Sequence, residues 1–92
     1  MTIIRKREYL ESHKNILSYI SKDSKNRALN FKSEVDNKIN NLANFPHKFR
    51  PSIHNENENV RDMIFKGYTI IYLVELDENR ISILDIFKWI DK

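Results

Sequence analysis

The sequence contains no cysteine, one glycine and two prolines. Without cysteine there is neither a disulfide framework nor a thiolate zinc site, so stability has to come from packing, and a reducing cytoplasm suits the chain. Gly67 is the only glycine, which leaves no glycine-rich loop to cradle a phosphate and argues against nucleotide hydrolysis. His13, His47 and His54 have no close ligand spacing, so no metal site and no cofactor are expected. No apolar run approaches the roughly 18 to 20 residues of a membrane span, and Met1 to Arg7 is too polar for a signal peptide. The expectation is a protein of the cytoplasm with no membrane partner. Charge of one sign is also scarce: 16 Lys and Arg against 13 Asp and Glu give a formal +3. That bias suits a nucleic-acid or ribosome surface or an acidic protein partner. It equally follows from AT-rich coding, which favours Asn, Lys and Ile.

What remains is 92 residues, enough for one domain over residues 1–92 with a single core. Thr2 to Lys6 is β-branched and basic, the pattern of a first or edge strand. From Glu8 the period becomes helical: Tyr9, Leu10, Ile16, Leu17 and Ile20 form a stripe that runs to about Ser21. Asp23-Ser24 offers an N-cap for a second helix, on which Ala28, Phe31, Val35, Ile39 and Leu42 step by three or four residues. Pro46 ends that helix near Asn44 or Phe45. Two amphipathic helices joined by about three residues form an antiparallel hairpin. Pro46 to Asn59 reads as a mobile loop, anchored by Phe49 and Ile53, with a polar HNENEN run. Val60 to Phe65, Tyr68 to Leu76 and Ile81 to Phe87 read as strands, with a turn at Gly67 and a hairpin loop at Asp77-Glu78-Asn79.

Strict alternation places Tyr68, Ile70, Tyr72 and Val74 on one side of their strand and Thr69, Ile71, Leu73 and Glu75 on the other. On the last strand it sets Ile81, Ile83, Asp85 and Phe87 against Ser82, Leu84, Ile86 and Lys88. Both faces are largely apolar, so one meets the helices and the other is free for a partner peptide, a C-terminal tail or a homodimer mate. The candidate partner-binding residues are Ile71, Leu73, Leu84 and Ile86, with Trp89 beyond the last strand.

Several motifs in order resemble the RelE/ParE family of toxins from type II toxin-antitoxin pairs. They are Ile3-Ile4, Ala28 with Phe31, Pro46, Val60-Arg61, Tyr68-Thr69-Ile70-Ile71-Tyr72 and Ile81-Ser82-Ile83-Leu84, and they cover nearly the whole chain. The resemblance implies an α+β fold, β-α-α-β-β-β, with the helical hairpin on one face of a small, mostly antiparallel sheet. It also implies a cognate antitoxin, and as target either DNA gyrase or ribosome-bound mRNA. Family members that cut mRNA commonly have a basic residue after the tyrosine that heads the central strand and a tyrosine or histidine near the C-terminus. Here those places hold Thr69 and Lys88-Trp89, which favours the ParE side.

For metal-free RNA cleavage, Arg61, Lys66 and Lys88 are the candidate phosphate contacts, with Tyr68, His47 or His54 to handle protons. The alternatives are plainer. Lys66 and Lys88 would be solvated rim lysines, and Tyr68 and Tyr72 core aromatics with a hydroxyl at the rim. Arg61, where the resemblance also places an arginine, serves either phosphate or carboxylate recognition or a salt bridge to Asp62, Asp85 or Glu75.

Overall fold

The computed structural model describes residues 1–88. In chain order the elements are β1 (Thr2–Arg5), α1 (Arg7–Asp23), α2 (Lys25–Asn41), β2 (Arg50–Pro51), β3 (Val60–Phe65), β4 (Tyr68–Glu75) and β5 (Arg80–Lys88). They build an α+β fold with one sheet ordered β1-β5-β4-β3-β2. β1 and β5 run parallel, and every other neighbouring pair is antiparallel.

The joint between the helices is one residue. Ser24 is extended (φ −159°, ψ 121°), ends α1 with its amide on the Ile20 carbonyl, and caps α2 by accepting from the Arg27 amide. Its short hydroxyl satisfies one of the free amides at a helix start, which is why a serine can serve both ends. The α2 stripe packs as its spacing requires, with Ala28, Phe31, Val35, Ile39 and Leu42 all buried. On α1 the stripe differs from the expectation. Leu10 is 51% exposed, and the inward place one turn after Tyr9 belongs to His13, which is buried. Tyr9 Oη and His13 Nδ1 are 3.2 Å apart, and the imidazole packs against Phe31 with ring centroids 6.3 Å apart.

The helices cover the sheet face made by Met63, Ile70, Tyr72, Val74, Ile81, Ile83 and Ile86. β5 breaks its own alternation to present that face. Tyr72 pairs with Ile83 and Ile71 with Asp85, leaving Leu84 as the extra residue of a β-bulge. The bulge shifts the phase of everything beyond it, so Ile86 enters the core opposite Ile70 and Asp85 lies across from Ile71. The expected position of Ile86 on the partner face is therefore corrected. An extra residue reverses which side chains face in.

Two hairpins close the sheet. Lys66 (φ 50°) and Gly67 (φ 83°) link β3 to β4, both in the left-handed region that a two-residue hairpin requires. Between β4 and β5, Arg80 grips Glu75 with two hydrogen bonds of 2.6 and 3.2 Å, and Ser82 adds a third at 2.7 Å. The guanidinium and then the hydroxyl draw the Glu75 carboxyl down to about 2. Residues 46–59 contain the short strand β2 and a series of turns in which Asn55 and Asn57 side chains accept from the amides two residues on. Phe49 packs against the core, whereas the Ile53 side chain is 61% exposed and only its backbone amide holds the loop, on Asp62. Among the described residues no helix is long and apolar enough to cross a membrane.

His13 makes stability depend on pH. Burial lowers its pKa from the ordinary 6.5, with Asp36 opposing the shift and Lys32 and Arg5 adding to it. The unfolded chain therefore takes up this proton first as pH falls. The stabilisation from neutral His13 is complete above about 6.5 and is lost as pH drops below it. Denaturant midpoints are expected to fall between about pH 7 and pH 5, and His13→Gln is expected to flatten that fall. A variant with an unchanged slope would locate the acid sensitivity elsewhere. The depressed Glu75 carboxyl acts in a separate window, below its ordinary 4.5 and toward about 2.

Candidate functional site

Strand pairing decides where each candidate cation can reach. Arg61 pairs with Tyr72, so it stands on the helix side of β3, at the end where the chain arrives from the loop. Its guanidinium fans over three backbone carbonyls: Nε donates to Glu58 O at 2.9 Å, and Nη1 donates to Phe49 O at 2.9 Å and His47 O at 3.4 Å. Beside it the Tyr72 hydroxyl donates to Pro46 O at 2.9 Å. Arg61 thus forms none of the salt bridges to Asp62, Asp85 or Glu75 considered from sequence, and its Nε and Nη1 are taken up by carbonyls. It ties the segment after α2 to the sheet. Burial pushes Tyr72 up to about 12, with the Arg61 charge opposing, so the phenol keeps its proton at neutral pH.

Lys66 sits in the hairpin turn at the far end of β3, where its Nζ lies 2.9 Å from Glu34 Oε1 and 5.4 Å from the Phe65 ring centroid. Five residue steps along β3 separate it from Arg61, about 17 Å at the usual rise. Lys88 is exposed and pairs with Tyr68. Tyr68 is half-buried and meets Phe31 edge-on, with centroids 5.1 Å apart. Arg61 is therefore remote from Lys66 and bonded to carbonyls, and Lys66 is neutralised by Glu34. Metal-free cleavage would need these charges to converge on one phosphate.

The second candidate surface is the sheet face away from the helices. It carries half-buried Ile71 and Leu73, half-exposed Ile64 (47%) and, beyond the bulge, Phe87. Leu84 is half-buried at the bulge itself, and Trp89 lies outside the described residues. Part of this face is covered by the chain's own loop. The Ile53 amide donates to Asp62 Oδ2 at 3.3 Å, Arg50 approaches the same oxygen at 3.8 Å, and the His54 ring stands edge-on to Phe87 with centroids 5.2 Å apart. Asp62 is buried with Oδ1 unpartnered, and so is Thr69 with its Oγ1. His47 is exposed, with Nε2 3.2 Å from Asn59 Oδ1, and His54 Nε2 stands 4.0 Å from Asp62 Oδ2, the carboxylate oxygen that the Ile53 amide and Arg50 also approach. Among the described residues no group of three or more His, Cys, Asp or Glu is placed to hold a metal.

Sequence reasoning identified Arg61 but not its role, because carbonyl acceptors carry no sequence signal. It missed His54 as a cover for the outer face.

With this geometry in view, comparison with known proteins is specific. The model of the family described as ParE toxin of type II toxin-antitoxin system, parDE, matches residues 3–88. A solved structure, "Chromosomal ParDE TA system from P. aeruginosa", superposes with a TM-score of 0.80 at 19% identity, covering 98% of this chain and 97% of that one. At that identity the likeness is one of fold. No curated protein matches the sequence.

Because hydrogen bonds from a charged donor each contribute about 1.5 to 3 kcal/mol when buried and less at a rim, Arg61→Ala is expected to lower stability by roughly 1 to 3 kcal/mol. It should also speed amide exchange at residues 47–50, read by NMR. Unchanged exchange there would remove Arg61 as the clamp.

Proposed function

The chain belongs to the family of ParE toxins of type II toxin-antitoxin systems, and we propose that it acts as a ParE-like toxin in the cytoplasm, arresting growth by binding an essential target, DNA gyrase foremost. The observation that carries the binding reading over RNA cleavage is the dispersal of Arg61 and Lys66. One is bonded to the carbonyls of residues 47, 49 and 58, the other is paired to Glu34, and the two stand at opposite ends of β3.

Neutralisation falls to a cognate antitoxin whose C-terminal segment lies across the outer sheet face, over Ile71 and Leu73, and into the helix groove, burying a helix or adding a strand. The half-exposed apolar residues of that face support this, since a small protein that keeps such a surface has a partner for it. The loop at His54 and Phe87 bounds the same surface.

Inducing the chain in cells separates the possibilities. Blocked supercoiling with an SOS response and intact transcripts is the expected outcome. New transcript ends within translated codons would replace this reading with ribosome-dependent mRNA cleavage, and normal growth with folded protein would mark an inactive homologue. Leu73→Glu is expected to leave toxicity in place while abolishing rescue by a cognate antitoxin, measured by co-expression and plating. Full rescue would move the antitoxin off this face.

A further inference from the structure

The segment from Asn44 to Arg50 connects α2 to β2 and is held more firmly than a connection needs. Its carbonyls at Pro46, His47 and Phe49 point inward to Tyr72 and Arg61, which turns neighbouring side chains outward. Phe45 is 61% exposed, and His47 and Lys48 are exposed beside it. Side chains on a loop fixed at several points are presented in one arrangement, the condition for recognition at little ordering cost.

The chemistry around Phe45 is of one kind. An open cleft of about 620 Å³ is lined by Asn44, Phe45, Pro46, His47 and Lys48, and a smaller adjoining one by Lys38, Asn41, Leu42, Phe45, Lys48 and Phe49. Neither is lined by a carboxylate. Lys38 and Lys48 form no ion pair among the described residues, and each ammonium rests over a ring, 5.1 Å from the Phe65 centroid and 5.4 Å from that of Phe49. Elsewhere Lys32 and Lys66 are neutralised by Asp36 and Glu34 at 2.8 and 2.9 Å. Asn41 and Asn44 add amide donors and acceptors, joined to each other by one bond of 3.1 Å.

A protruding aromatic ring between unpaired cations and amides matches a strand of alternating bases and phosphates. An acidic helix would instead need a continuous apolar strip, and the bases of a duplex are stacked out of reach of Phe45. We infer that the Asn44 to Arg50 loop is a binding site for single-stranded nucleic acid, with a base stacked on Phe45 and phosphates held by Lys38 and Lys48. The site is separate from the outer sheet face and does not depend on the identity of the toxin's target.

Fluorescence anisotropy of the full chain with labelled oligo-dT and oligo-U of about 12 nucleotides, a length that spans one such patch, tests this. Binding at low salt is expected, about tenfold weaker for Phe45→Ala. Lys48→Gln is expected to reduce the slope of log K against log salt by about 0.7, one phosphate contact on a single strand. Lys25→Gln, which removes the same charge from the far end of α2, is expected to change neither, and circular dichroism checks that each variant is folded. The inference is overturned by no binding at about 50 mM salt, by Phe45→Ala binding as well as the parent, by Lys25→Gln weakening as much as Lys48→Gln, or by a duplex or a poly-Glu peptide competing as well as the strand.

Discussion

The strand that meets most of the molecule, β5, has to turn Ile81, Ile83 and Ile86 toward the helices, and an unbroken two-residue period would put Asp85 there in place of Ile86. Burying that carboxylate without a partner would cost several kcal/mol, more than a domain of this size can spare. The bulge at Leu84 avoids it by shifting the phase once. On the near side of the bulge β5 receives β1 and packs against α1, and along its length it pairs with β4. Cores without disulfides depend on such continuity of apolar surface, and here one supernumerary residue maintains it.

Most of the fold was legible because it rests on local periods. The stripe from Ala28 to Leu42 and the β-branched runs at Tyr68 and Ile81 declare their elements wherever the rest of the chain goes. What was not legible depends on tertiary neighbours. His13 is polar by type but occupies a core position because Tyr9 and Phe31 surround it, so a hydrophobic pattern skips it and selects Leu10. The phase change at Leu84 is a property of the pairing with β4 and leaves no mark on composition. Arg61 was visible as an arginine in the right place, yet its acceptors are carbonyls brought together by the path of residues 47–58. β2, two residues long, lies below the length at which any period can be read.

The candidate chemistry is governed by what each cation already touches. Arg61 fixes a loop and Lys66 answers Glu34, while Lys88, the third candidate phosphate contact, is exposed on β5. The surface left for partners is divided: an apolar outer sheet face partly roofed by His54, and a basic aromatic loop beyond α2. The same carbonyl contacts that occupy Arg61 tie that loop to the sheet.

The pairing of β1 with β5 also sets an order of events. Residues 2–5 are made well before residues 80–83 and have no strand partner until those follow, so the first strand waits on β5. Contacts of such long sequence separation close late, after local helix and hairpin formation. A nascent chain interrupted before Arg80 has an open sheet edge and an incomplete core.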